Sequence, residues 1–271
     1  SINQLKQKGL NNLMLGTIAG DIIGSVYEFT NVKPDMDFPF FVKDSEFTDD
    51  TVLSVALADS ILNDIPYEKK LRQYYLGYPN AGYGGMFHKW ARSKNPKPYN
   101  SWGNGSAMRV SPVGWAYDDL ETVLQKAKEN AEVTHNHPEG IKGAQATASG
   151  IFLARTKHSK KEIKEFVEKN FSYNLDLDLE ELRKNYKFNE SCQDTVPQAI
   201  FTLLISENFD DSIRKAIFIG GDSDTLACIN GSIAEAFYGG VPKNIADEVY
   251  KRMDSRITII TNDFREKYII K

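Results

Sequence analysis

The sequence LGTIAGDIIG, Leu15 to Gly24, has glycine at every fourth position, namely Gly16, Gly20 and Gly24. Residues four apart lie on one face of an α-helix. Apolar residues at helical spacing extend this pattern over residues 10–29, although three glycines lower the intrinsic helix propensity. The stripe of small residues therefore predicts a helical face that another helix, or a ligand, approaches closely.

Helical periodicity also dominates the rest of the chain, and alternating strand patterns are scarce. The 271 residues, 41% of them hydrophobic, suffice for one full-sized core. Further helices are predicted at 51–62, 138–155, after the Ser159–Glu162 capping box, and at 194–206, 211–218, 224–237, 243–253 and 256–267. Irregular segments are predicted at 31–47, 79–108 and 174–192. We expect an all-α, compact helical bundle with residues 1–271 forming a single domain.

Charge and cysteine content exclude several classes of protein. Lys and Arg total 33 against 37 Asp and Glu, so the net charge of −4 does not favour nucleic acid or anionic membrane as a partner. The two cysteines form no CxxC motif, which is typical of a reducing compartment. No apolar run approaches the length of a membrane span, and the N-terminal residues lack a signal-type apolar core. These features predict a cytoplasmic protein.

Two acidic clusters, TDDT at residues 48–51 and GGDSDT at residues 220–225, combine carboxylates with hydroxyls. Both are hard oxygen donors without Cys or His among them, which favours Mg²⁺, Mn²⁺ or Ca²⁺ over zinc. Clustered carboxylates without a cation would repel one another and take up protons. The alternative is that each cluster only caps a helix N-terminus, where Asp, Ser and Thr are common.

Spacing supports the metal interpretation for the second cluster. Asp222 and Asp224 are two residues apart, and such residues point to nearly opposite sides of a helix. They can share a cation only from a loop or a distorted first turn, and Gly220 and Gly221 permit that conformation.

Two glycine-rich segments, GYGG at residues 82–85 and SWGNGS at residues 101–106, can present backbone N–H groups to a phosphate. Each also carries an aromatic ring, Tyr83 or Trp102, that suits stacking on a base or packing on a sugar. Ordinary turns with two core aromatics are the alternative. Nearby, His135 could donate to a phosphate or sugar, whereas His137 is predicted to cap the helix that begins at Pro138; no zinc site is expected here.

Five segments, in this order along the chain, resemble the ADP-ribosylglycohydrolases, a family that includes the dinitrogenase-reductase-activating glycohydrolase and the serine-type ADP-ribosyl hydrolases. The matching segments are 16–21 with 24–28, 47–51, 103–109, 134–135 with the helix that follows, and 220–225. Any one of them would be weak evidence, but their order and separation are specific.

The resemblance implies an all-α fold with a cleft that binds ADP-ribose beside two Mg²⁺ or Mn²⁺ ions per chain. It implies these metal ligands: Thr48, Asp49, Asp50, Asp222, Asp224 and Thr225. It implies these ADP-ribose contacts: Gly82, Tyr83, Gly84, Gly85, Ser101, Trp102, Gly103, Asn104 and His135. Trp102 stands where relatives often have Tyr, so stacking is retained without a hydroxyl contact.

The resemblance also bears on the acceptor, the group from which ADP-ribose is removed. Glu28 resembles the mobile-loop glutamate of members that act on serine and related oxygen-linked sites, and arginine-specific members diverge in that loop. An O-linked acceptor is therefore favoured. Segment 31–47 is short for a large lid, so a weakly specified acceptor is expected.

The predicted function is metal-dependent hydrolysis of the glycosidic bond between ADP-ribose and a protein or small-molecule acceptor, with Glu28, Asp49 and Asp222 as candidate catalytic residues. One alternative is a two-metal phosphoester or nucleotide hydrolase, because clustered Asp and Thr also serve that chemistry. Another is a catalytically idle ADP-ribose-binding protein. The intact acidic clusters disfavour the idle protein, since a retired site has no reason to keep repelling carboxylates.

Overall fold

A computed structural model describes residues 14–30 and 32–269. This part of the chain contains fifteen helices and no β-strand, which confirms the all-α prediction. The helices are α1 Leu15–Gly24, α2 Asp49–Asn63, α3 Tyr67–Gly77, α4 Gly85–Arg92, α5 Gly105–Met108, α6 Ser111–Ala116, α7 Leu120–Glu132, α8 Pro138–Arg155, α9 Lys160–Phe171, α10 Leu179–Asn185, α11 Val196–Leu204, α12 Phe209–Phe218, α13 Ser223–Tyr238, α14 Lys243–Arg252 and α15 Ser255–Ile269.

The central contact of the fold joins α1 to α13, and the glycine stripe makes it possible. A Cβ placed on Gly20 would lie 2.0 Å from the carbonyl oxygen of Ala227, and one on Gly24 would lie 2.5 Å from that of Ser223. No side chain fits into either gap. The predicted close approach is therefore a helix–helix contact, and it brings α1 against the first turn of α13.

The core is built around this pair. Every described residue of α1 is buried, as is α13 from Ser223 to Ala236. Helix α13 also packs against α8, α11 and α12. Helix α8 in turn packs against α5, α6 and α7. Asp21 and Asp224 are consequently held in the interior, between the two most buried helices.

Several boundaries differ from the predictions. Helix α2 begins at Asp49 rather than at residue 51, because the Thr48 hydroxyl accepts a hydrogen bond from the backbone N–H of Asp50 and caps the helix there. Helix α1 ends at Gly24, not at residue 29, and residues 10–13 lie outside the described part. The capping box at Ser159 and the helix start at Pro138 are confirmed.

The segments predicted as irregular contain α4, α5 and α10, and three helices, α3, α6 and α7, were not predicted. Helix α3 shows the reason. It buries only Leu71, Tyr74 and Tyr75, so its sequence is mostly polar and its apolar face is narrow. Tertiary packing, rather than a strong sequence pattern, stabilises such a helix.

None of the helices in the described part is both long enough and apolar enough to cross a membrane. Both cysteines, Cys192 and Cys228, are free and buried.

Candidate metal centre and cleft

The two acidic clusters, 170 residues apart in the chain, meet in the structure. The Thr225 hydroxyl donates to Asp50 Oδ2 at 2.8 Å, and the Thr48 hydroxyl lies 3.3 Å from Asp224 Oδ2. These residues belong to the N-terminal ends of α2 and α13. The capping interpretation is thus correct for Thr48, but capping alone does not account for two clusters that face each other.

The turn before α13 gives its aspartates a common direction. Gly220 and Gly221 have positive φ angles of 79° and 84°, a conformation that residues with a side chain rarely adopt. Asp222 follows outside the helix at φ −77° and ψ 77°, and Asp224 lies in the first helical turn. This is the non-helical arrangement that the two-residue spacing required, and oxygen atoms of Asp222 and Asp224 lie within 4.8 Å of each other.

Asp21, which the sequence analysis did not assign to the site, lies at its base. Its carboxylate accepts hydrogen bonds from the backbone N–H groups of Thr48 and Thr51, at 2.8 and 3.2 Å, and from both hydroxyls, at 2.6 Å each. It therefore fixes the start of α2 against α1. The available signal was a carboxylate beside Gly20 in an otherwise apolar helix.

Electrostatics in the cluster favour a bound cation. Burial, and then repulsion from neighbouring carboxylates, raises the pKa values of Asp50 and Asp224 well above their ordinary range. Burial also raises the pKa of Asp21 to about 6, although four hydrogen bonds act in the opposite direction. Such a group of carboxyls must bind either protons or positive charge.

The donor set fits a hard divalent ion. Asp222 Oδ1 is buried without a hydrogen-bond partner among the described residues. Two sets of carboxylates each have oxygens within 4.8 Å of one another: Asp21 with Asp50 and Asp224, and Glu28 with Asp222 and Asp224. The two sets share Asp224, and the carboxylate oxygens of either set could hold a cation.

Glu28 lies in the turn that follows α1 and is half-buried. Burial first, and then the charge of Asp222, raises the pKa of Glu28 to about 7. Glu28 is therefore not an ordinary solvated surface glutamate, which is the default interpretation of an isolated Glu in a sequence.

A cavity of about 370 Å³ opens beside the acidic cluster, within the range typical of ligand sites. Asp49, Asp50, Asp222 and Thr225 lie in its wall, while Thr48 and Asp224 lie behind them. The other predicted residues in the wall are Gly82, Tyr83, Gly84, Ser101, Gly103, Asn104 and His135. The two glycine-rich segments thus line the same cleft as the acidic cluster.

Gly85 and Trp102 are not in this wall. Trp102 is half-exposed, and its ring centre lies 5.7 Å from that of His137 in an edge-to-face contact. Tyr83, by contrast, reaches the cavity although it is mostly buried, and its ring stacks on Phe87 at 5.4 Å. Two roles were considered for the aromatic ring of the GYGG segment, contact with a ligand and packing in the core. Tyr83 lines the cavity and also packs in the core, so its position fits both.

Asn104 connects the glycine-rich segment to the acidic cluster. Its Nδ2 donates to Asp222 Oδ2 at 2.8 Å and to the Thr195 hydroxyl at 3.2 Å. The amide leaves Asp222 Oδ1 unpartnered and directs that carboxylate toward the cleft. Asn104 is consequently a residue that positions Asp222, which is a candidate metal ligand.

His135 and Arg109 form the inner wall. Burial, and then the charge of Arg109, lowers the pKa of His135 well below its ordinary value, so the imidazole is neutral. Its Nδ1 lies 2.6 Å from the Thr134 hydroxyl. Arg109 is fully buried and bonded to Asn130 and Thr134, but its Nη1 has no partner among the described residues. The sequence analysis did not single out Arg109, which ends the GNGSAMR segment.

Comparison with known proteins matches this chain to one family. The model of the ADP-ribosylglycohydrolase family matches residues 7–268. The chain belongs to the ADP-ribosylglycohydrolase family. It is therefore a hydrolase, as the resemblance of the five segments implied.

Individual relatives cover most of the chain. Human ADP-ribosylhydrolase ARH3 is 26% identical over 83% of this chain and 84% of its own length. ADP-ribosylarginine hydrolase Tri1 of Pseudomonas putida is 25% identical over 87% of this chain and 72% of its own length. A solved structure titled "ADP-ribosylglycohydrolase-related protein complex" superposes with a TM-score of 0.70 at 21% identity, covering 93% of this chain and 95% of that one. At that identity the structural likeness supports the fold.

Proposed function

We propose that this protein removes ADP-ribose from an oxygen-linked acceptor such as a serine side chain, with two divalent ions, Mg²⁺ or Mn²⁺, in the acidic cluster. The observation that carries the proposal is the convergence of Asp49, Asp50 and Asp222 on one wall of the cleft, with an unpartnered carboxylate oxygen. The glycine-rich segments that line the same cleft would hold the ADP-ribose.

The ions would be held by the six residues that the family resemblance implies, Thr48, Asp49, Asp50, Asp222, Asp224 and Thr225, together with Asp21, whose carboxylate belongs to one of the two oxygen sets. When bound, such ions orient ribose hydroxyls and make water a better nucleophile near neutral pH. The other steps fall to the side chains of this chain.

The side chains would bind the nucleotide and stabilise the transition state. Backbone N–H groups of the glycine-rich segments can bind the diphosphate without net positive charge. Cleavage at C1 of the distal ribose develops positive charge on the sugar, and the buried aspartates stabilise that charge electrostatically. Asp49 and Asp222 are the candidates because both line the cleft.

Proton transfer would fall to Glu28. Its carboxyl group lies in the wall of the cleft beside Asp222 and Asp224, where a carboxylic acid could give a proton to the leaving oxygen. An oxygen leaving group requires a proton from a general acid more than a guanidinium does, because a serine alkoxide is strongly basic. The position of Glu28 supports an O-linked acceptor over arginine. The chain is almost equally similar to the two relatives, at 26% sequence identity to ARH3 and 25% to Tri1. Sequence identity therefore does not favour either acceptor.

A substrate panel tests the proposal. Serine-, arginine- and acetyl-linked ADP-ribose would be incubated with the protein and either Mg²⁺ or Mn²⁺, and the products separated by chromatography. Free ADP-ribose, formed fastest from the O-linked substrates and abolished by chelation, is the expected result. AMP or orthophosphate would indicate a phosphoester hydrolase instead, and binding without turnover would indicate an idle protein.

Variants connect turnover to the acidic cluster. Asp222→Ala and Asp49→Ala are expected to abolish metal binding and turnover while the far-ultraviolet circular dichroism stays that of a helical protein. Asp44→Ala, at an exposed position outside the cleft, is the matched control and should retain activity. Full activity in either cluster variant would refute the proposed site.

A further inference from the structure

A second cavity, of about 530 Å³, has Glu28 and Phe29 in its lining. Both residues also line the nucleotide cleft, so the two cavities are neighbours at the candidate proton donor. A substrate whose ADP-ribose occupies the cleft must have its acceptor beyond the bond that is cleaved. The second cavity is adjacent to that position.

Hydrogen bonds between two segments of the chain hold the walls of this cavity together. On one wall, the Lys33 ammonium donates to the carbonyls of Arg183 and Tyr186 at the end of α10, at 2.6 and 2.7 Å. In return, Arg183 donates to the carbonyls of Lys33 and Pro34, at 3.1 and 2.8 Å. These reciprocal bonds hold segment 32–34 against α10. The second cavity is therefore a groove between segment 32–34 and α10, and these hydrogen bonds hold its two sides in place.

Its floor is the turn that places the metal ligands. A Cβ on Gly221 would lie 2.4 Å from the Tyr186 ring, and one on Gly220 would lie 2.5 Å from the Lys33 side chain. The two glycines thus let both groove walls pack directly on the backbone that leads into Asp222. The position of a group bound in the groove is therefore fixed relative to the acidic cluster.

The rim of the groove is apolar. Phe29 is 84% exposed, Val32 is 73% exposed and Phe188 is 46% exposed, and the two phenyl ring centres lie 6.2 Å apart. Clustered exposed apolar groups at a cavity mouth are typical of an interaction site.

The groove is also basic. Lys184 and Lys187 line it, and neither has an ion-pair partner within residues 14–30 and 32–269. Among the described residues that line it, Glu28 is the only one with an acidic side chain. Because the whole chain carries a net charge of −4, this positive charge is local to the groove.

We propose that this groove binds the acceptor polypeptide, and that it prefers a peptide with an apolar residue and a carboxylate next to the ADP-ribosylated residue. This inference rests on the proposed function, because the acceptor occupies the groove only if ADP-ribose occupies the cleft. It replaces the expectation of a weakly specified acceptor: specificity comes from three short segments, 27–30, 32–34 and 184–188, rather than from a large lid.

The test compares two ADP-ribosylated peptides that differ only in flanking residues, Glu in one and Gln in the other. Each is made with a serine linkage and with an arginine linkage, alongside the minimal conjugates ADP-ribosyl-serine and ADP-ribosyl-arginine. The Glu peptide is expected to have the lower KM, by about threefold to tenfold at low ionic strength, and the difference should disappear in high salt.

Variants assign the effect to the groove. The double variant Lys184→Ala/Lys187→Ala should remove the preference for the Glu peptide, and Phe188→Ala should raise KM for both peptides. Neither should change turnover of the minimal conjugates, which also shows that the variants are folded. Lys69→Ala/Lys161→Ala, at exposed positions outside the groove, is the matched control and should keep the preference.

The two proposals fail in different ways. Turnover of a minimal conjugate together with equal KM values for the Glu and Gln peptides would overturn the acceptor groove alone. An unchanged preference in the double lysine variant would do the same. Absence of turnover on both minimal conjugates, with either cation, would overturn the proposed function and this inference with it.

Discussion

Replacing Asp21 by asparagine should make the metal-free protein less stable than the wild type at pH 4 and more stable at pH 7. Asp21 is fully buried, and its pKa is raised from 3.8 to about 6, with burial as the main cause. A carboxyl group with a raised pKa in the folded state makes the folded protein most stable below the unfolded value. That stability is lost as the pH rises from about 4 to about 6.

The magnitude follows from the shift. A difference of about two pKa units corresponds to about 3 kcal/mol of unfolding free energy lost between pH 4 and pH 7. Asparagine does not titrate, so Asp21→Asn avoids this loss. Its carbonyl oxygen can keep the three bonds that Oδ2 accepts from Thr48 and Thr51. The Thr48 hydroxyl loses its bond to Oδ1 but still has Asp50 and Asp224 as acceptors, so the cost is about 1 kcal/mol.

The variant should therefore be about 1 kcal/mol less stable than the wild type at pH 4 and about 2 kcal/mol more stable at pH 7. Urea unfolding at a series of pH values, in the presence of a chelator, measures this difference. Asp44→Asn, at an exposed position, is the control and should run parallel to the wild type.

Adding Mg²⁺ or Mn²⁺ at pH 7 should restore stability to the wild type, by about 2.7 kcal/mol at a hundredfold excess over Kd, and less to the variant. Parallel wild-type and Asp21→Asn curves from pH 4 to pH 7 would refute the reasoning, because the pKa of Asp21 would then not be raised in the folded protein. Equal stabilisation of the two proteins by added cation would separately exclude Asp21 from the cation site.

Three further predictions concern the cleft and the helix pair. Glu28→Gln should lower kcat on a serine-linked substrate by about 10²- to 10⁴-fold while ADP-ribose affinity, measured by calorimetry, is largely kept; unchanged kcat would remove Glu28 from the mechanism. Asn104→Ala removes the amide that donates to Asp222 Oδ2 and should weaken metal binding by about 10- to 100-fold in a titration; unaltered affinity would contradict its positioning role. Gly20→Ala should cost about 3 kcal/mol or more in thermal unfolding, whereas Gly84→Ala, where a Cβ has no neighbour within 4 Å, should have little effect on stability.

Motif-bearing segments of the site were accessible from the sequence because their chemistry is local. The two glycines before Asp222 and the alternation of Asp and Ser required a turn, and the structure has that turn. By contrast, Asp21 and Arg109 were not assigned, since an isolated charged residue in an apolar helix or at the end of a motif carries no local signal of its partners. Their roles depend on residues 21 or more positions away, such as Thr48 for Asp21 and Asn130 for Arg109.

The sequence by itself determined that the chain is helical, that a glycine-striped helix is closely approached, and that carboxylates and hydroxyls occur in two separated clusters. These properties depend on residue type and on spacings of two to four positions, which a one-dimensional pattern records. Only the tertiary structure decided that the glycine stripe contacts α13, that the clusters face each other, and that Glu28 lines two cavities. The reason is physical: burial and the mutual repulsion of carboxylates arise when distant segments pack together, and their strength depends on distances in space rather than along the chain.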